Sequence, residues 1–185
     1  FTQRGGARGT TTPARAALRA AVGTLEAILP SSIAVTVDVD TGVPAVCGNA
    51  EDLREVIVNL MLNARDAILA DDPGRHGRLA LRLTGPRTLT GFCHTCKAAL
   101  QGPYVVLEVS DDGCGIPADA LERIFDPFYT TRPVGSGSGL GLSVVHGLVH
   151  RHGGHVLAES APRAGACFRV LLAPAPSASD PAEGA

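Results

Sequence analysis

Tryptophan is absent, and Phe and Tyr together make up only 4% of the 185 residues. A stacking surface for single-stranded nucleic acid is therefore not expected. No basic run of the kind that grips a phosphate backbone occurs, and 16 basic residues against 18 acidic ones leave a formal net charge of −2. Nucleic acid is thus not an expected partner. Every apolar stretch falls short of the length that crosses a bilayer, and no signal peptide is recognisable, so no membrane contact is expected of these residues. The five cysteines, Cys47, Cys93, Cys96, Cys114 and Cys167, are odd in number and scattered. That argues against a disulfide framework and suits a reducing, cytoplasmic setting. What is present is 45% hydrophobic residues, enough for the core of one domain with frayed ends.

The first residue is Phe1, and the chain is read as starting in mid-protein. Residues 1–12 are rich in Gly, Arg and Thr and are expected to be a linker or the end of a preceding helix. Pro13 suits a first helical position with Thr12 as cap. Leu18, Val22, Leu25, Ile28 and Leu29 then recur at helical spacing until Pro30. Residues 33–39 alternate apolar and polar as a half-buried strand does. A second helix is predicted over 49–70 and a third over 139–151. Further strands are predicted over 78–83, 104–109, 155–159 and 166–172. Residues 85–103 carry a Cys-x-x-Cys and little periodicity, and are read as an insertion. The Pro/Ala/Ser-rich tail, 174–185, reads as disordered. The sum is an α+β two-layer sandwich, a mixed sheet of about five strands with three main helices, occupying 13–173.

Four segments suggest chemistry. Asn59, Asn63 and Asp66 sit at i, i+4 and i+7, one face of the second helix beside its apolar stripe. Asn is a poor helix former, so two of them one turn apart ask for a reason. An amide oxygen is a neutral hard ligand for Mg²⁺; a hydrogen-bonded pair tying the helix to a loop accounts for the row equally well. Asp111-Asp112-Gly113-Cys114-Gly115-Ile116-Pro117 is a strand end that delivers a carboxylate, followed by a tight glycine turn. A buried Asp there can accept from an exocyclic amine, although an ordinary Asp-Gly turn has the same sequence. Gly135 to Leu142 is a Gly/Ser-rich approach to a helix, with Ser138 a natural cap, and free N–H groups there suit an anion. It is not a Walker loop, since no Gly-Lys-Ser/Thr is present. Between these lies Ile124-Phe125-Asp126-Pro127-Phe128-Tyr129-Thr130-Thr131-Arg132, read as an aromatic latch on a mobile loop.

Taken in order and spacing, the Asn row, Asp-x-Gly-x-Gly, the aromatic latch and Gly-x-Gly-Leu-Gly-Leu resemble the N, first glycine, phenylalanine and second glycine boxes of sensor histidine kinases. These belong to the wider GHKL (Bergerat) group that includes gyrase and certain heat-shock chaperones. The resemblance covers roughly residues 14–172 and is closest to the nitrogen-regulation type. It implies Mg-ATP as cofactor, bound under a lid of residues 125–138. Asn63 would hold Mg²⁺, and Asn59 would contact phosphate. Asp111 would accept from the adenine amine, with Gly113, Gly115 and Ile116 shaping the base pocket and Arg65 and Asp66 on its rim. Phe128, Thr130, Thr131 and Arg132 would belong to the lid, the last three approaching the outer phosphates. Gly137, Ser138, Gly139, Leu140, Gly141 and Leu142 would cradle the phosphates.

Two positions matter most for mechanism, Asn59 and Arg132. Hydrolysing members of the group place a Glu one helical turn before the metal Asn; here that place is Asn59, and an amide cannot take a proton from water at neutral pH. The resemblance therefore implies transfer of the γ-phosphate to a histidine on a separate dimerisation domain, with a response regulator downstream and a homodimeric parent. No His among the six begins the family's His-Glu/Asp-x-x-x-Pro phosphoacceptor pattern. A GHKL-type ATPase cycle and a nucleotide-binding docking domain without catalysis stand as alternatives. Ala166-Cys167 stands where the family often has Thr. Cys93 and Cys96 resemble half a zinc knuckle, and one pair supplies two of four tetrahedral ligands. With His94 awkward as a third, the remainder of a zinc site is expected from another chain or domain; a redox pair is the alternative of equal standing, and no metal or disulfide at all is the leading reading. His146, His150 and His152 read as surface or cap residues.

Overall fold

The computed structural model describes residues 10–70, 72–93, 95–131 and 139–176. Two layers form the core, helices on one side and a sheet on the other. Helix α1, Ala14–Glu26, is alanine-rich, which favours helix, and buries Ala14, Ala17, Leu18, Ala21, Val22 and Leu25 along one stripe. Helix α2, Ala50–Ile68, starts at Asn49, whose side chain accepts from the Asp52 N–H at 2.7 Å, with Glu51 and Asp52 in the first turn. The cap and the two acids satisfy and complement the positive end of the helix. Its core stripe includes Leu60 and Met61, both fully buried. Helix α3, Ala118–Leu121, is a single short turn, and α4 spans Gly141–Arg151.

Strands β1 (Thr11–Pro13) and β3 (Ala45–Cys47) form a small antiparallel pair. The main sheet consists of β2 (Ile33–Val39), β4 (Gly77–Cys93), β5 (Ala98–Asp111), β6 (His155–Ser160) and β7 (Ala166–Leu172). Their order is β2-β4-β5-β7-β6; β2 runs parallel to β4, and every other pairing is antiparallel. Side chains alternate between faces. Leu79, Leu81, Leu83, Leu107, Val109, Val156, Phe168 and Val170 join the helices in one buried cluster. On the other face Arg169 reaches across to Glu108 at 2.8 Å and also to Glu159. Arg82 pairs with Asp38 at 3.3 Å. Partly exposed pairs of this kind contribute little to stability and keep the face polar.

The expected five-stranded α+β sandwich is thus present, its three main helices being α1, α2 and α4, with the single turn α3 added among the described residues. Several boundaries differ from expectation. Thr12 does not cap α1; Pro13 takes that position without a side-chain bond, and the Thr12 hydroxyl donates to the Gly48 carbonyl at 2.7 Å inside the β1–β3 pair. Residues 85–103 are not an irregular insertion. They extend β4 and β5 into a long hairpin, with a register shift between Thr84 and Arg87. Periodicity is weak there because Gly91 and Gly102, at φ 150° and 132°, interrupt the side-chain pattern while allowing the ribbon to coil. The hairpin's own buried residues, Cys93, Leu100 and Tyr104, pack with Val106 and Leu171 on the face away from the helices. Helix α4 begins at 141 instead of 139, with Leu140 as cap residue. Of the expected linker 1–12 and disordered tail 174–185, the described parts are ordered: Thr11 and Thr12 belong to β1, Pro174 bridges Val46, and Ala175 N–H donates to Ala45 O at 2.8 Å. Residues 1–9, the expected lid residues 132–138 with Arg132, Gly137 and Ser138, His94, and 177–185 lie outside the described residues.

Candidate nucleotide site

The end of β5 is tied to α2 by the turn that follows it. Gly113 packs so closely that an added Cβ would come 2.6 Å from the Ala67 carbonyl carbon, and Cys114 N–H donates to Ala67 O at 3.0 Å. Gly115 adopts φ +74° with its α-carbon against the Ala161 carbonyl, where a Cβ would lie 2.0 Å from the oxygen. Only glycine fits such a left-handed close approach. Ile116 N–H then donates to Ser160 Oγ at 2.8 Å, and the Ser160 hydroxyl donates to Gly165 O at 2.6 Å. The loop after Asp111 is thereby held between α2 and the β6–β7 turn.

This fastening opens a cavity of about 590 Å³ between α2, the β5 end and the start of α4. Asn59, Asn63 and Asp66 of α2 line one wall, and Asp111, Gly115 and Ile116 another. Thr130, Thr131, Gly139, Gly141 and Leu142 complete it. The amide row and the Asp111 carboxylate therefore face one shared space. Gly141 sits where a Cβ would be 3.3 Å from Asn59 Oδ1 and 3.4 Å from Asn63 Nδ2. The N-terminus of α4 thus meets both amides with only a hydrogen between them. Asn59 Nδ2 donates back to the Glu55 carbonyl at 3.0 Å, a bond that occupies the amide nitrogen and leaves its oxygen free of that contact.

Asp111 Oδ1 accepts from Gly113 N–H at 2.8 Å. Burial pushes the Asp111 carboxyl above the usual range, and neighbouring Asp112 adds to this; N–H groups of Gly113 and Ala166 and the charge of Arg75 oppose it. Phe128 and Gly139 are held against each other. Phe128 N–H donates to Gly139 O at 3.0 Å, and Gly139 at φ +66° lies against the Phe128 backbone.

Among the described residues, four of those expected do not line the cavity. Arg65 pairs sideways with Asp66, Nε to Oδ1 at 2.7 Å. Gly113 is occupied in packing on Ala67. Phe128, at φ 66°, turns its ring outward and is 74% exposed. Leu140 precedes α4 and is itself exposed. In place of Phe128, its neighbour Tyr129 faces the cavity, with Arg123 stacked 4.4 Å over its ring. Leu62, Ala67, Ala70, Ile124 and Phe168 also line it. The α2 members of that set continue the helical spacing of the Asn row, and Phe168 follows Ala166 by the strand period of two; those are the signals by which they are legible.

Residues 48–176 match the family described as histidine kinase-, DNA gyrase B- and HSP90-like ATPase. The chain belongs to that family. Its relatives include the two-component sensor PprA of Pseudomonas aeruginosa, 41% identical over 159 residues, which cover 85% of this chain and 16% of PprA. The sensory histidine kinase/phosphatase NtrB of Rhodobacter capsulatus is 35% identical over 142 residues, 75% of this chain and 36% of NtrB. The chain therefore spans only a minor part of the curated relatives it matches. Among solved structures, the catalytic domain of histidine kinase ThkA superposes with a TM-score of 0.69 at 24% identity, covering 90% of this chain and 98% of that domain. ThkA has also been solved in complex with the response regulator protein TrrA. The whole matched fold corresponds to the two-layer unit described above. No helix among the described residues is long and apolar enough to cross a membrane.

Proposed function

We propose that this chain binds Mg-ATP and presents the γ-phosphate to a histidine on a separate dimerisation domain, in a two-component relay ending at a response regulator. The observation that carries it is the convergence of Asn59, Asn63 and Asp111 on one cavity, with the α4 N-terminus between the amides. The residues present suit the cofactor. Asn63 offers a neutral oxygen of the kind that completes a Mg²⁺ shell when phosphate supplies the negative charge. Bound there, Mg²⁺ would neutralise charge building on the phosphates.

The chain's own residues do the rest. Asp111 accepts from the adenine amine through Oδ2, while Oδ1 stays on Gly113 N–H. Tyr129, Ile116 and Phe168 supply the apolar walls for the base. Backbone N–H groups at Gly141 and Leu142 face the phosphates, and Thr130 and Thr131 approach them from the lid. Asn59 stands where a base would activate water. An amide takes no proton, so ATP is held with little hydrolysis until an imidazole nucleophile arrives. Catalysis is then positioning and charge stabilisation, as in phosphoryl transfer generally.

Labelled ATP mixed with this chain and the parent's dimerisation domain is expected to label a histidine in trans. Tight ATP binding with no transfer, or rapid steady-state hydrolysis by the chain alone, overturns the kinase reading in favour of a docking domain or an ATPase cycle respectively.

A further inference from the structure

A second group of chemically capable side chains converges at the far end of α4, away from the nucleotide cavity. The donor atoms of Cys93, Cys96, His150 and His155 all lie within 4.8 Å of one another. They come from three elements: the β4–β5 hairpin tip, the last turn of α4 and the first residue of β6. The hairpin curls over to β6 to reach this place. Thr95 Oγ1 donates to Val156 O at 3.3 Å, and Cys93 Sγ lies 3.7 Å from the same oxygen. Two histidines of this chain stand beside the Cys-x-x-Cys pair.

The arrangement is specific in its details. Cys96 Sγ is 3.2 Å from His155 Nδ1. Zinc bonds of about 2.3 Å to sulfur and about 2.0 Å to nitrogen place tetrahedral ligand atoms roughly 3.3–3.8 Å apart, so closing the cluster needs shifts of about an ångström. His150 Nδ1 lies 2.8 Å from the His146 carbonyl oxygen. A carbonyl only accepts, so Nδ1 carries the proton and Nε2 presents its lone pair. That Nε2 is buried and has no hydrogen-bond partner among the described residues. A buried acceptor without a partner is costly. A backbone carbonyl holding one ring nitrogen while the other faces a cluster of donors is the arrangement that orients metal-ligating histidines. A disulfide between Cys93 and Cys96 would account for the two sulfurs and leave both imidazoles unexplained.

The geometry points to a closed Cys₂His₂ zinc site made by Cys93, Cys96, His150 and His155. Two thiolates and two imidazoles suit Zn²⁺ and not the hard cation of the nucleotide site. Four protein ligands leave no open position, so the role is structural. On binding, each thiol releases its proton to solvent as its sulfur bonds the ion. The ion would pin the hairpin to α4 and β6, bracing the end of α4 opposite Gly141.

The test is metal analysis of the purified chain after incubation with zinc and desalting. One zinc per chain is expected, released when an organomercurial titrates the thiols. Cobalt-loaded protein should show the visible bands of a tetrahedral thiolate site. Cys93→Ser, Cys96→Ser and His150→Ala should lose the ion, whereas Cys47→Ser and Cys167→Ser should keep it. Wild-type chain that retains no zinc overturns the proposal, as does an intact mass showing a Cys93–Cys96 disulfide in reductant-prepared protein. Because the wild-type result decides alone, a variant that fails to fold does not shield the idea. None of these readouts involves ATP, so they stand or fall independently of the kinase reading.

Discussion

Asp111→Asn is the sharpest perturbation of the proposed adenine pocket. The amide keeps an oxygen for Gly113 N–H, now made at 2.8 Å to Oδ1, so the turn should survive. The other carboxylate oxygen becomes an NH₂ facing the adenine amine, donor against donor. A hydrogen bond to a charged group contributes about 1.5–3 kcal/mol, so ATP affinity should fall roughly 10- to 150-fold. GTP, which offers a carbonyl at that edge, should lose nothing or gain. Titration calorimetry suits the measurement, since the chain lacks tryptophan. An ATP affinity within about twofold of wild type would mean that Asp111 does not hold the base.

The same substitution carries a pH signature. Burial raises the folded Asp111 pKa. A carboxyl shifted that way costs stability when ionised; the cost is fully present above the folded pKa and fades as pH falls toward the unfolded value of about 3.9. Asn mimics the protonated acid. The nucleotide-free variant should therefore melt above wild type at neutral pH, with the advantage shrinking as pH falls through that window. For binding the trend is parallel: the affinity ratio of wild type to variant should shrink over the same range, because every other titrating group, Asp112 and Arg75 included, is common to both proteins. A ratio that stays constant with pH would refute the role of the Asp111 charge.

Two further outcomes are expected. Asn59→Glu places a carboxylate where the family resemblance puts the base of the hydrolysing members, and should raise steady-state ATP hydrolysis at least about tenfold, short of the 10²–10⁴ available to an ideal base; phosphate release at unchanged background would place residue 59 out of reach of the γ-phosphate. Gly115→Ala forces a Cβ to within 2.0 Å of the Ala161 oxygen at φ +74°, and should destabilise the chain by about 2–4 kcal/mol in denaturant melts, whereas Gly23→Ala, with open space at its Cβ, should stabilise α1 slightly.

Much of this was legible because local pattern and tertiary role agree. The α2 stripe from Leu53 to Ile68 follows burial closely, and the β2 alternation does so at Ile33, Val35 and Val39 but not at Val37, which is exposed. The Asn row and the Asp-x-Gly-x-Gly turn, each ambiguous by itself, could be placed on one cavity only through the order and spacing that resemble the histidine kinase boxes. What was not legible depends on contacts distant in sequence. Thr12 bonds Gly48 across 36 positions, so no local signal marks it as a strand residue. Residues 85–103 look aperiodic because the hairpin bends at glycines and packs its own small cluster away from the main core. Phe128 and Tyr129 are adjacent aromatics, and only the positive φ at 128 decides which one enters the cavity.

The distance between the two sites explains how they would act together. Helix α4 has 11 residues, about 16 Å from end to end. Its first residue lies where even an added Cβ would be 3.3 Å from Asn59 Oδ1 and 3.4 Å from Asn63 Nδ2, and its last turn supplies His150 to the sulfur cluster. An ion at the far end therefore contacts no nucleotide and cannot polarise a phosphate. Its influence runs through the position of one rigid helix packed on α2 by Val145, Leu148 and Val149. Clamping that helix against β6 and the hairpin fixes where the Gly141 N–H points before ATP arrives, so less ordering remains to be done on binding. On this reasoning zinc removal should weaken ATP binding modestly while leaving the preference for adenine intact, because Asp111 is fastened to α2 and the β6–β7 turn by its own loop. Calorimetric titrations of ATP and GTP into zinc-loaded and zinc-stripped chain would separate the two effects; loss of base discrimination along with the ion would show that the two ends of the molecule are not independently held.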